Sequence, residues 1–234
     1  MKRLVVLGGG ESGVGTALLG KQKGFEVFVS DYGILKKAYK DVLIHNEIEW
    51  EEGMHTASKI LNADVVMKSP GISEHVPIVE TLLNKGVSVI SEIEFAAQFT
   101  SANIIGITGS NGKTTTTMMT HHILNHAKLS VAMGGNIGDS FAGLIGQNPD
   151  HFVLELSSFQ LDGIQKFRPH IAVLTNITPD HLDRYDNKFE HYIASKFRIV
   201  MNQTKEDYLI YDADDDVINA YIQSHQIQSI LVPF

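Results

Sequence analysis

The sequence predicts an α/β fold in two successive halves, each a mostly parallel sheet flanked by helices. Three observations predict it. Apolar runs short enough for buried strands alternate with helix-like stretches along the chain, the pattern of βαβ units. Two of those runs pass straight into glycine-rich turns, Gly8-Gly9-Gly10-Glu11-Ser12-Gly13 and Thr108-Gly109-Ser110-Asn111-Gly112-Lys113-Thr114. The pattern restarts around residues 99–102, which places a boundary between residues 1–100 and 101–234.

Bulk properties suit this reading. A chain of 234 residues with 43% hydrophobic content and a mean hydropathy of −0.02 can bury one large or two ordinary cores. The formal net charge of −8 argues against nonspecific binding to nucleic acid or to an anionic membrane, so any polyanion is met locally by loops. No cysteine is present, which rules out disulfides and thiolate chemistry and fits a reducing compartment. The first apolar run is only four residues long, too short for a signal-peptide core or a membrane span, and reads as a first strand of a cytoplasmic protein.

In order, residues 4–7 form that strand. The glycine turn behind it has the G-x-G-x-x-G spacing, followed by a helix over 14–23 and a second strand over 26–30 ending at Asp31. A dinucleotide fold places its ribose-binding acid near there, so a nucleotide-type ligand is expected, with a tight-packing turn as the alternative. Residues 63–67 read as a strand with a Ser69-Pro70-Gly71 turn at its carboxyl end. A helix over 77–85, a strand over 87–90 and an acidic helix start at 91–94 follow. Ligands of open α/β sheets sit beyond carboxyl strand ends, so Ser69 is a candidate wall of the crevice that holds Ser12 and Asp31, unless it is an ordinary surface turn.

The second glycine turn is a phosphate cradle in form. Its backbone N–H groups can converge on phosphate oxygens, Lys113 can neutralise charge, and the Thr114 hydroxyl can reach Mg²⁺. The helix behind it, 113–126, adds its positive end. The strict pattern wants glycine at position 107, where Ile107 stands, so the loop is a variant. A short strand over 130–133 leads to Gly134-Gly135-Asn136-Ile137-Gly138. The run 151–160 then carries one acid, Glu155, at a strand end where phosphate-loop proteins keep a carboxylate for Mg²⁺. A capping or solvent-exposed glutamate is the alternative. His181 follows a strand over 171–174 and lies among acids. Lys196, on a helix over 189–201, reads from the residues alone as a solvated lysine. Strands over 208–211 and 227–232 flank a helix over 214–224, and the Asp212 to Asp216 run reads as its acidic start.

Together the Thr108 to Thr115 run, Gly134-Gly135-Asn136-Ile137-Gly138, Leu154-Glu155-Leu156-Ser157-Ser158-Phe159-Gln160-Leu161, and Asp180-His181-Leu182-Asp183-Arg184 with Lys196 resemble the ATP-dependent Mur ligases of peptidoglycan precursor synthesis. With Ser69-Pro70-Gly71-Ile72 and the first glycine turn, the resemblance is strongest to the branch that adds D-glutamate to UDP-N-acetylmuramoyl-L-alanine. It covers essentially the whole chain. It implies a Rossmann-like amino-terminal domain for the UDP substrate, then an incomplete P-loop-type mostly parallel α/β ATP-binding domain. A further carboxyl-terminal domain of the family is not in the sequence, so the fragment is expected to be inactive alone.

The resemblance implies ATP and Mg²⁺ as cofactors, and catalysis by Lys113, Glu155, His181 and Lys196. Gly109, Ser110, Asn111, Gly112, Lys113, Thr114 and Thr115 would hold ATP. Thr114 and Glu155 would hold one Mg²⁺. His181 and a carbamylated Lys196 would hold a second. Asn136, Ser157 and Gln160 would touch the muramoyl-alanine part of the substrate, while Ser12, Gly13, Asp31, Ser69 and Gly71 would line the uridine nucleotide site. It implies a cytoplasmic monomer serving cell-wall synthesis, with no nucleic-acid or membrane partner. One departure stands out: Tyr32-Gly33 follows Asp31 where the family often carries a polar residue and an arginine. Alternatives are another Mur-type or folylpolyglutamate-type ligase, a nicotinamide-dependent dehydrogenase using the first turn, and a noncatalytic nucleotide-binding module.

Overall fold

The computed structural model describes residues 1–234, and its contacts divide the chain into two compact units. The first comprises Met1–Thr100 with two later stretches, Ser140–Gly146 and Gly163–Gln165; the second comprises the remainder. No helix is long and apolar enough to cross a membrane.

The first unit alternates β1 (Arg3–Leu7), α1 (Glu11–Gln22), β2 (Glu26–Asp31), α2 (Lys37–His45), β3 (Glu49–Glu52), α3 (Ala57–Ile60), β4 (Val65–Lys68), α4 (Pro77–Asn84), β5 (Ser88–Ile90) and α5 (Glu92–Ala97). Its five strands are all parallel, in the order β3-β2-β1-β4-β5. β1 is central, and Leu4, Val5, Val6 and Leu7 are each 0% exposed, as expected of a strand covered on both faces. Burying each such side chain stabilises by about 1.5–3 kcal/mol. Val5, Leu7, Phe28, Val66, Val79 and Leu82 form one continuous cluster there.

α1 begins at Glu11, inside the glycine turn, three residues earlier than the sequence pattern suggests. Gly13 is the reason that start is possible: a Cβ on it would lie 1.9 Å from the Gly8 carbonyl oxygen, so only glycine lets helix and strand approach so closely. β3, with the sequence Glu-Trp-Glu-Glu, and α2 were not anticipated. An edge strand can be this polar because one side of it faces solvent.

The two later stretches join the first unit through α5. Ser91 caps that helix, accepting from the Glu94 amide at 3.3 Å. The buried carboxylates behind it take backbone donors: Glu92 accepts from the Ala142 amide and Glu94 from the Gln165 amide, while the Ser91 amide donates to the Gly163 carbonyl. The Ser140–Gly146 stretch carries one helical turn, α7 (Phe141–Leu144), capped by Ser140.

The second unit contains β6 (Asn103–Thr108), α6 (Lys113–His126), β7 (Val131–Gly135), β8 (His151–Glu155), α8 (Ser158–Asp162), β9 (Ile171–Leu174), α9 (Phe189–Phe197), β10 (Tyr208–Tyr211), α10 (Asp216–Ser224) and β11 (Ile230–Pro233). Its six strands are parallel in the order β11-β10-β9-β6-β8-β7. Ile107, Val153 and Val173 on the three central strands form its core cluster. The helix expected over 189–201 stops at Phe197 and tightens into a single 3-10 turn over 198–200. Asp215 starts α10 as an N-cap, accepting from the amides of Val217 and Ile218.

Candidate functional sites

In the second unit the carboxyl ends of β6, β8 and β9 meet the loop 109–112. Gly109 has φ of +148°, and a Cβ on it would fall 1.9 Å from Thr175 Oγ1, so the loop threads a gap only glycine fits. Asn176, just past β9, braces the loop: its carbonyl accepts from the Ser110 amide at 2.9 Å and its side-chain oxygen from the Asn111 amide at 2.9 Å. Ser110 Oγ exchanges bonds with Thr178, donating to its carbonyl and accepting from its amide. The Ser110 and Asn111 amides are therefore committed within the protein. The amides opening α6 have no intrahelical acceptor and no side-chain cap, which leaves an anion-accepting helix end at Lys113 to Thr115.

Two ammonium groups converge on this loop. Lys113 Nζ donates to the carbonyls of Gly109 and Ser110, each at 2.9 Å, and Lys196 Nζ donates to the same Gly109 carbonyl at 2.8 Å. The residue-level reading of Lys196 as solvated is corrected by its surroundings: it is 1% exposed. Burial, reinforced by the Lys113 charge, pulls its pKa down to about 7, against weaker opposition from Asp180 and Asp162. A buried amine of this kind holds its proton less firmly than a solvated lysine and is partly neutral near neutral pH.

Beside the loop, Glu155 is 3% exposed at the end of β8. Thr114 Oγ1 donates to its Oε2 at 2.6 Å and Asn136 Nδ2 to its Oε1 at 2.8 Å. A hydroxyl and a carboxylate are hard oxygen donors of the type Mg²⁺ takes, so this pair fits that ion. His181 stands apart. Its backbone is left-handed at φ of +51°, its ring packs against Phe159 at 5.2 Å, and its charged partner is Asp180 at 3.5 Å; no hydrogen bond joins it to Glu155 or Lys196. No cluster of three or more His, Cys, Asp or Glu side chains is arranged to hold a metal ion. Ser157 and Gln160 engage each other at the start of α8, the Ser157 amide and hydroxyl donating to Gln160 Oε1 at 3.0 and 3.1 Å.

The first unit holds a cleft of about 970 Å³ at the carboxyl ends of β1, β2 and β4, lined by Gly8, Ser12, Asp31, Ser69 and Gly71 among others. Gly13 is not part of the lining, consistent with its packing duty. Asp31 accepts from the Gly9 amide through Oδ2 and from the Gly33 amide through Oδ1, both at 2.7 Å, and so fastens the glycine turn to the loop after β2. The sequence reading missed His55. It lines the cleft, its Nδ1 lies 2.7 Å from Ser30 Oγ, and burial lowers its pKa against the charges of Glu51 and Asp31. Its only sequence cue is a place just after a strand, and that strand, β3, carries no apolar run.

Two parallel α/β units, one ending in a glycine turn beneath a large cleft and the other in a lysine-bearing phosphate loop, define a protein of the nucleotide-handling α/β class. Within it, residues 107–232 match the Mur ligase middle domain and residues 3–78 the MurD N-terminal domain, so the chain belongs to the Mur ligase family. The UDP-N-acetylmuramoylalanine–D-glutamate ligase of Christiangramia forsetii is 60% identical over 234 residues, which are 100% of this chain and 53% of that protein. The ligase of the same name from Bacteroides thetaiotaomicron is 53% identical over 235 residues, again 100% of this chain and 53% of that protein. The chain thus spans about half the length of the curated relatives it matches. Among solved structures, a UDP-N-acetylmuramate:L-alanyl-gamma-D-glutamyl-meso-diaminopimelate ligase from Neisseria superposes with a TM-score of 0.70 at 21% identity, covering 100% of this chain and 78% of that one. The UDP-N-acetylmuramate–alanine ligase of Thermotoga maritima gives 0.59 at 22% identity, covering 100% and 53%. These two show the fold.

Proposed function

We propose that this chain carries the UDP-substrate and ATP-binding units of a ligase that joins D-glutamate to UDP-N-acetylmuramoyl-L-alanine in peptidoglycan precursor synthesis. The units are drawn at residues 1–100 and 101–234. The observation that carries the reading is the convergence of Lys113 and Lys196 on the Gly109 carbonyl beside the Thr114–Glu155 pair. Identities of 60% and 53% to ligases of that name support the choice of substrates.

In the reaction, a carboxylate oxygen of the muramoyl-alanine attacks the γ-phosphorus of ATP and ADP departs. The D-glutamate amine then attacks the resulting acyl carbon, loses a proton, and expels phosphate. Both steps crowd negative charge, so fixed cations and amides in place beforehand lower the barrier. Lys113 swings from its two loop carbonyls to the terminal phosphates, and the opening amides of α6 receive their oxygens. Ser110 and Asn111 shape the loop through Asn176. Mg²⁺, held by Thr114 and Glu155, would neutralise phosphate charge when bound. The neutral fraction of Lys196 can add CO₂ at Nζ and release a proton, which gives an anionic oxygen donor where the ammonium otherwise stands. With His181 this donor would serve a second Mg²⁺. Asn136, Ser157 and Gln160 are assigned to the muramoyl-alanine, and Ser12, Asp31, Ser69 and Gly71 to the uridine nucleotide; Gly13 supports that site by packing. The acidic net charge argues against a nucleic-acid or anionic-membrane partner, and the resemblance to the family assigns the protein to the cytoplasm as a monomer.

The test is phosphate release by the intact protein, which should require ATP, Mg²⁺, D-glutamate and UDP-N-acetylmuramoyl-L-alanine together. Release that is indifferent to D-glutamate would reject the reaction. For Lys196→Ala, activity should fall and return in part with added short-chain carboxylic acids; unchanged activity removes the carbamate role.

A further inference from the structure

The cleft of the first unit contains a recognition element that neither the family match nor the motifs assign. Ser30 Oγ, on β2, sits 2.7 Å from Glu51 Oε1 and 2.7 Å from His55 Nδ1. Burial pushes the Glu51 carboxyl up, but donors from Thr56 and Ser30 and the Lys59 charge outweigh it and leave the group below its ordinary range. Glu51 is therefore a carboxylate, which can only accept. The Ser30 hydroxyl proton must point to it, so Ser30 Oγ accepts from His55 and the ring proton resides on Nδ1. The other ring nitrogen, Nε2, then carries a lone pair and has no partner in the protein. Lowered basicity from burial keeps the ring in this neutral form.

A fixed acceptor on the wall of a cleft recognises a donor. Beside it stands Tyr32, a residue 74% exposed, whose ring is 5.8 Å from the His55 ring and tilted by 45°. Both residues line the same cleft. A large aromatic left in water at a cleft rim offers a π-face on which any planar base can stack.

We propose that His55 Nε2 accepts the imide N3–H of the substrate's uracil, with Tyr32 as the stacking face and Ser30 as the positioning residue that fixes the His55 tautomer. This rests on the reading of the cleft as a uridine nucleotide site. A uracil meets Nε2 with an N–H, whereas cytosine presents a lone pair at the same ring position and N3-methyluracil presents a methyl group. Discrimination against both follows from leaving the His55 acceptor unpaired or opposed once the base covers it.

The experiment is calorimetric titration of the chain with UDP, CDP and N3-methyl-UDP. The wild type should favour UDP over each analogue by about tenfold or more. His55→Ala should weaken UDP by about tenfold while changing N3-methyl-UDP little, so that the preference collapses. Ser30→Ala should lower the same preference with the fold intact, and serves as the readout if His55→Ala melts early. Tyr32→Ala should weaken all three nucleotides by a similar factor, because stacking does not read the base edge. A preference for UDP that survives both His55→Ala and Ser30→Ala overturns the proposal while leaving the uridine reading intact. Failure of the wild type to bind UDP overturns both.

Discussion

The phosphate loop of the second unit and the glycine turn of the first start alike, each as a buried strand running into glycines and a helix, and are then completed by opposite means. At the phosphate loop two lysines share one carbonyl, and the helix end beyond them is uncapped. At the glycine turn no lysine is present. Its charges are both negative: Glu11 within the turn, and Asp31, which is spent on the amides of Gly9 and Gly33; the other walls are mostly small or apolar side chains. On the proposed reading the first loop meets the terminal phosphates of ATP with fixed cations, and the second takes a uridine nucleotide with backbone groups and cleft walls in place of lysines. Like glycine spacing therefore says that a backbone comes close to a ligand, and the surrounding side chains say what the ligand is.

Removing the charge from the first kind of loop should have the largest effect. Lys113→Ala is expected to cost about 3 kcal/mol or more of transition-state stabilisation, a loss of about a hundredfold in kcat/KM of the intact enzyme, with UDP binding unchanged. Near-normal turnover would remove the charge half of the contrast. The matching change in the first unit is smaller. Asp31→Ala deletes two hydrogen bonds to backbone amides and should destabilise that unit by about 2 kcal/mol, while also loosening the turn and weakening UDP. Urea unfolding of the variant checks the first effect and titration the second. A fall in nucleotide affinity with no loss of stability would recast Asp31 as a direct ligand contact.

The contrast was partly legible in the sequence. Apolar runs located β1, β2, β6 and β8, because strands buried on both faces show no alternation to confuse the reading. Asp215 sits at the helix start its acidic run announced. Glu155 lies beside Thr114, as an acid at a strand end suggested. What escaped was set by distant parts of the chain. β3 is polar because it lies at a sheet edge, and His55 follows it into the cleft with no periodicity to mark it. Lys196 shows no local sign of burial, since its surroundings come from the loop 87 residues earlier. The Ser140–Gly146 and Gly163–Gln165 stretches read as parts of the second half, yet they are fastened by carboxylates on α5.

Those carboxylates sharpen the comparison once more, because each unit deeply buries an ionisable group against its charge. In the first unit Glu92 is 1% exposed, accepts from the Ala142 amide, and leaves Oε2 without a partner; burial raises its pKa from an ordinary 4.5 to about 8, with Glu11 adding repulsion. In the second, Lys196 falls from 10.5 to about 7. The two shifts have opposite consequences. Between pH 4.5 and 8 the native state holds a proton at Glu92 that the unfolded chain releases, so this group's contribution falls as pH rises. Between pH 7 and 10.5 the unfolded chain holds a proton at Lys196 that the native state has lost, so that contribution rises with pH. Each slope is limited to one proton, about 1.4 kcal/mol per pH unit. Glu92→Gln keeps an acceptor for the Ala142 amide but cannot ionise, so its stability relative to wild type should climb between pH 6 and pH 8. Lys196→Met should lose stability relative to wild type between pH 8 and pH 10. Urea midpoints followed by a probe in each unit measure both differences, and parallel pH profiles for wild type and Glu92→Gln would mean that the buried carboxyl is already ionised in the native fold.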